Sequence, residues 1–127
     1  LTAQLSVNQV EQKIIDDALK NRIIEFESGS AILTDAGNKI LDEMVVALTK
    51  VGAKKVKIIG HTDSSGDANK NTVLSQERAM AVQNYLVSKS IAVERLSTAG
   101  KGSSQPVADN STTEGRKKNR RIEFEVL

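Results

Sequence analysis

Lys55-Val56-Lys57-Ile58-Ile59-Gly60-His61-Thr62-Asp63 is the stretch from which the rest of the chain is read. Its apolar run, Val56 to Ile59, has the β-branched content of a strand, and Gly-His-Thr-Asp has the composition of a turn leaving the strand's C-terminal end. A loop from His61 to Lys70 follows, with Gly66 as its turn residue. Leu74, Ala79, Val82 and Leu86 then mark the buried stripe of a helix from about Thr72 to Lys89. Asp63 therefore stands where a strand ends and Arg78 one turn into the next helix, at the same edge of a sheet. In open α/β sheets that edge is where ligands bind.

Upstream, Ile24-Glu25-Phe26-Glu27 alternates with period two and ends at Ser28-Gly29-Ser30, which predicts a first strand. Thr34-Asp35 offers an N-cap to a helix with Ile40, Leu41, Met44, Leu48 and Val51 on one face and Gly52 at its end. Before these, Ser6-Val7-Asn8-Gln9 fits a capping box and predicts a helix from Val7 to Leu19. Downstream, Leu96 to Ala99 is a short strand, and Ile122, Phe124 and Val126 alternate with Glu123 and Glu125 in a last one. The polar stretch between them, Lys101 to Asn119, holds the one proline, Pro106, and is long enough to be functional, mobile or part helical. Crossovers of the β-α-β-α kind favour parallel strands. On the solvent side of such a sheet Lys55 and Lys57 would face Glu123 and Glu125. Glu25 and Glu27 would lie beside the same glutamates, with Arg22 and Arg121 to relieve the repulsion.

At 127 residues the chain has the size of one domain. With two Phe, one Tyr and no Trp, its core must come from Ile, Leu, Val and Ala. A net charge of +2 gives no whole-molecule field that would point to nucleic acid or an anionic membrane. The absence of cysteine removes disulfides, thiolate chemistry and cysteine-ligated metals. No apolar run approaches the roughly 20 residues that span a bilayer, and Leu1 opens neither a basic nor an apolar signal region. Without an initiator Met, the chain is expected to be a mature or excised piece, with any membrane element upstream.

Asp63 and Arg78 each have a plain reading when taken singly, as a turn aspartate bonded to backbone N–H groups and as a solvated helix arginine. Side by side they can hold a zwitterion, its ammonium on the carboxylate and its carboxylate on the guanidinium fork. His61 is the sole histidine, which excludes a histidine-rich metal site, and no serine stands in a Gly-x-Ser-x-Gly elbow. A lone histidine at a strand end reads first as a packing residue. Gly100-Lys101-Gly102 lacks the third glycine of a dinucleotide fingerprint. Arg116, Lys117, Lys118, Arg120 and Arg121 could neutralise phosphates, but no aromatic platform accompanies them. Lys117 and Lys118 read as a solvated face.

Taken with Leu74-Ser75-Gln76-Glu77-Arg78-Ala79 and Gly115-Arg116-Lys117-Lys118-Asn119-Arg120-Arg121-Ile122-Glu123, the order and spacing of Gly60-His61-Thr62-Asp63 resemble the OmpA-like peptidoglycan-binding domain, from about Ile23 to Leu127. The resemblance implies an α+β two-layer sandwich, β-α-β-α-β-β, whose mixed four-stranded sheet has the order 1-4-2-3 with the last strand antiparallel. It divides the chain into an N-terminal helical extension, residues 1–21, and a binding domain, residues 22–127. It further implies that Asp63 and Arg78 hold the zwitterionic end of meso-diaminopimelate in the peptidoglycan stem peptide. Thr62 and Asn71 would border the pocket, and Asn119 and Arg120 would be secondary contacts; Asn71 also reads as a plain N-cap. One departure is Phe26-Glu27, where the family often has Phe-Asp.

The function so implied is anchoring of an outer-membrane or envelope protein to the cell wall from the periplasm. It involves no catalysis, cofactor or metal. The partner is peptidoglycan rather than nucleic acid, a membrane is met only through an upstream segment, and a homodimer stays open. Two rivals remain from other classes. One is a peptidoglycan hydrolase using His61 and Asp63, for which the sequence offers no convincing nucleophile, metal or second positioned carboxylate. The other is RNA binding through the basic loop 116–121.

Overall fold

The computed structural model describes residues 7–20 and 22–127. The elements run α1 (Val7–Leu19), α2 (Asp35–Lys50), β1 (Val56–His61), α3 (Ala68–Ser88), β2 (Leu96–Gly100), α4 (Thr113–Asn119) and β3 (Arg121–Val126), with a 3-10 turn, Val93–Arg95, ahead of β2. α1 spans the expected residues, while its expected Ser6 cap lies outside the described ones. At α2 the Thr34 hydroxyl accepts from Gly37 N–H at 3.1 Å, Asp35 and Lys50 complement the helix dipole, and Gly52 follows at φ +67°. The polar stretch 101–119 proves part helical, since α4 closes it.

β1 is the central strand. It pairs parallel with β2, from Val56–Leu96 to Gly60–Gly100, and antiparallel with β3, from Val56–Val126 to His61–Arg121. Val56 and Ile58 alternate with Lys57 and turn, with Ile122, Phe124 and Val126, into a core shared with Leu41, Met44 and Leu48 of α2 and Val82 and Leu86 of α3. Two glycines fix how closely α3 lies on this sheet. A Cβ on Gly60 would run into the backbone of Ser75, and one on Gly100 into the backbone N of Gln76. These two residues are cross-strand partners, so the start of α3 is seated directly over the end of β1.

The sheet has three strands among the described residues, in the order β2-β1-β3, and not the expected four in the order 1-4-2-3. Residues 24–27 contribute only an isolated antiparallel bridge, Phe26 to Leu33. Their backbone bonds stay local: Glu27 N–H donates to the Ile32 carbonyl at 2.8 Å, and Thr34 N–H to that of Glu25 at 3.2 Å. The β3 edge that this segment was expected to pair with is occupied by α1. The Gln12 amide donates to the Phe124 carbonyl and accepts from Val126 N–H, each at 2.7 Å, standing in for a neighbouring strand. Ile24 is nevertheless buried. The period-two pattern there recorded burial and not strand pairing.

The expected charge ladder is corrected accordingly. Lys57 does lie opposite Glu125, but Glu123 lies opposite Ile59, and Lys55 sits beyond the ladder with its carbonyl accepting from Leu127 N–H. Glu25 and Glu27 do not join these glutamates. Arg22 pairs with Glu43 instead, while Arg121 does pair with one of the expected glutamates, Glu123, at 3.4 Å.

Candidate functional site

β1 runs two residues farther than the sequence suggests, because His61 still pairs with Arg121 of β3. The turn therefore begins at Thr62, whose N–H donates to the Gly102 carbonyl and whose hydroxyl donates to the Asp63 carbonyl, both at 2.9 Å. α3 begins earlier than expected, at Ala68. Its cap is Asp67, which accepts from Lys70 N–H at 2.9 Å, and not Asn71. Asn71 thus lies in the first turn and reaches back, its amide donating to the carbonyls of Ser65 at 2.8 Å and Asp63 at 3.4 Å. Farther along, the Ser75 hydroxyl accepts from Gly102 N–H at 2.9 Å and ties the loop after β2 to the same helix.

Asp63 is buried, with one carboxylate oxygen accepting from Ser65 N–H at 2.8 Å and the other 2.5 Å from Nη1 of Arg120. Burial pushes this carboxyl up, but the Ser65 N–H and the Arg120 guanidinium outweigh it and hold Asp63 below its ordinary pKa. Arg78 is 9% exposed. Its Nε donates to the Ser30 carbonyl at 2.7 Å, and its guanidinium carbon lies 5.0 Å from the centroid of the Phe26 ring. Burial, then Arg120, lower its pKa while Asp63 raises it, and an arginine so placed stays charged at any physiological pH. No described residue forms a hydrogen bond with its two terminal nitrogens. The fork is thus anchored at its stem and open at its tip.

Both residues line a cavity of about 920 Å³, walled on one side by Ile24, Phe26 and Gly29 and on the other by His61, Thr62, Asn71 and Leu74. Arg120 and Lys117 also line it. Five of the six expected site residues, Asp63, Arg78, Thr62, Asn71 and Arg120, are therefore brought together, and Arg120 comes closer than a secondary contact because it binds Asp63 itself. Asn119 does not line the cavity. It is fully buried, accepting from the N–H groups of Val107 and Ala108 at 2.7 and 2.9 Å and donating to the Ala108 carbonyl and to Oδ1 of Asn110. Asn110 Oδ1 in turn accepts from Ser64 N–H at 3.3 Å, so Asn119 fastens the 107–110 loop beside Asp63.

The expected solvated pair is split: Lys117 and Lys118 are both exposed, yet Lys117 borders this cavity while Lys118 borders a groove between α1 and β3. Ser30 and Phe26, which support Arg78, were not expected. The spacing held a signal, since Arg78 sits three residues after Ser75 and four before Val82, on the buried face of α3.

His61 is buried, and its Nε2 lies 2.5 Å from Oε1 of Glu123 without the alignment that a hydrogen bond requires. Burial and then the Arg121 charge lower its pKa below 6.5, against the opposing pull of Glu123. Among the described residues no three His, Cys, Asp or Glu gather as a metal site, and no helix is long and apolar enough to cross a membrane.

Residues 25–120 match the OmpA family. Over 102 residues, 80% of this chain, the sequence is 38% identical to outer membrane protein A of Bordetella avium, covering 53% of that protein. It is 40% identical over 103 residues to peptidoglycan-binding protein ArfA of Mycobacterium tuberculosis, covering 81% of this chain and 32% of that one. The solved structure of the cell wall anchor of the T6SS from Pseudomonas aeruginosa is similar with a TM-score of 0.73 at 35% identity, over 80% of this chain and 73% of that chain. The chain spans about half the length of the first curated relative and about a third of the second.

Proposed function

We propose that this chain, which belongs to the OmpA family, binds peptidoglycan non-covalently through the diaminopimelate of the stem peptide and so anchors an envelope protein to the cell wall. The observation that carries this reading is the pairing, in one cavity, of an ionised Asp63 with an Arg78 whose fork is anchored at Nε and open at both terminal nitrogens. An ammonium fits the first and a carboxylate the second, in bidentate form. Thr62 and Asn71 shape the wall between them, and Asn119 acts at a distance through the loop that it holds.

The relatives' names support the partner and the place. One is a peptidoglycan-binding protein, one a cell wall anchor and one an outer membrane protein. The site then faces the wall from the periplasm. Binding proceeds without turnover: His61, the one histidine, is buried beside Glu123, which Arg121 also pairs with. It uses neither cofactor nor metal, and nucleic acid is not its ligand. Charge-assisted bonds contribute about 1.5–3 kcal/mol each before the costs of association, so a single site binds modestly. Many copies along one polymer supply avidity.

Incubation with purified sacculi tests this reading. Pelleting of the protein without released fragments is expected. Released fragments would favour the hydrolase, and salt-sensitive binding to RNA alone would favour the basic loop.

A further inference from the structure

We propose that Arg120 is an exchangeable counter-ion for Asp63 and that, with Lys117, it forms a second anion position in the same cavity for another carboxylate of the ligand. The inference rests on reading the cavity as a zwitterion site. Its starting point is a charge imbalance. Arg78, Lys117, Arg120 and Arg121 line the cavity against Glu25 and Asp63. Arg121 is committed elsewhere, donating to the carbonyls of Asn119 at 3.2 Å and Gln105 at 2.9 Å and pairing with Glu123. When an ammonium sits on Asp63 and a carboxylate on Arg78, the exposed Glu25 is the one other carboxylate among the described lining residues to offset Arg120 and Lys117.

The geometry allows the exchange. The Arg120 side chain is 42% exposed and that of Asp63 10%, so in the present pair it is the arginine that is free to move. An incoming ammonium competes with Arg120 for the same carboxylate oxygen. Once displaced, Arg120 lies three positions after Lys117 at the end of α4, a separation that keeps the two on one side of the chain. Two adjacent cations in a half-enclosed cavity favour an anion over another zwitterion. The ligand class is then a peptide with one free ammonium and at least two free carboxylates. Lys118, equally exposed, faces the α1 groove and serves as a control for net charge.

The test is calorimetric titration of the whole chain with two synthetic probes: a diaminopimelate-containing stem tripeptide with every carboxyl free, and the same tripeptide amidated everywhere except at the zwitterionic end. The wild type is expected to prefer the free form by about tenfold, a preference that fades with added salt. Arg120→Gln combined with Lys117→Ala should bind both probes alike, and should hold the amidated one at least as tightly as the wild type does, because Asp63 has lost its internal competitor. Lys117→Ala alone, at an exposed side chain, should narrow the preference, while Lys118→Ala keeps it. Equal binding of both probes by the wild type overturns the inference and leaves the zwitterion site standing. Binding of neither overturns the proposed function and the inference with it.

Discussion

Nη1 of Arg120 stands 2.5 Å from Oδ2 of Asp63, so two residues 57 positions apart in sequence form an ion pair in the lining of the cavity. Asp63→Asn keeps an acceptor for Ser65 N–H but removes the charge. Binding to sacculi should weaken by at least about tenfold, or about 1.5 kcal/mol, as measured by co-sedimentation. Unchanged binding would remove Asp63 from the site.

His61 makes stability depend on pH in a window where no other side chain of this chain ordinarily titrates. Burial, followed by Arg121, lowers its folded pKa below 6.5. The unfolded chain thus takes up a proton near pH 6.5 that the folded chain refuses until lower pH. Its contribution is complete above pH 6.5 and is lost as pH falls from there through the lowered folded value. Urea unfolding between pH 7.5 and 5 should record that loss, and His61→Gln should be flatter. Equal slopes in the two proteins would assign the loss to carboxylates instead.

Gly60→Ala should destabilise the fold by roughly 1–3 kcal/mol, because its Cβ would meet the Ser75 backbone, which cannot swing aside as a side chain can. Thermal unfolding measures the cost. The seating of α3 on β1 also sets the distance from Arg78 to Asp63, so ligand affinity should fall as well.

Asn119→Ala leaves the part-buried N–H groups of Val107 and Ala108 without the buried acceptor that holds them. A loss of about 2 kcal/mol is expected. Hydrogen exchange should quicken at those two amides, while those of Ile58 and Ile59 in β1 keep their protection until the whole fold opens.

How far these features could be read from sequence depends on how local their causes are. Thr34 caps α2 through a bond to Gly37 three residues on, and the α1 and α2 patterns were legible for the same reason. Asp63 and Arg78 were legible as a pair because one strand end and one helix face suffice to place them. The start of α3 was not, since Asp and Asn are both residue types that cap helices and only coordinates reveal that Asp67, not Asn71, reaches the free N–H groups. The fate of residues 24–27 was hidden more deeply. It turns on Gln12 claiming the β3 edge, although Gln12 and Phe124 are 112 positions apart. Asn119 sits in a motif that borders the pocket, yet two amides of a loop eleven and twelve residues away claim its side chain.

The most direct measurement of the central claim is a comparison of two peptides on two proteins. A stem peptide containing meso-diaminopimelate and its lysine counterpart, which lacks only the terminal carboxylate, are each titrated into the wild type and into Arg78→Ala while the amides of residues 61–71 are followed. The wild type should prefer diaminopimelate by more than about tenfold, and Arg78→Ala should hardly distinguish the two. If both proteins discriminate equally well, Arg78 is not the carboxylate clamp, and the cavity between Asp63 and Arg78 does not hold the zwitterion.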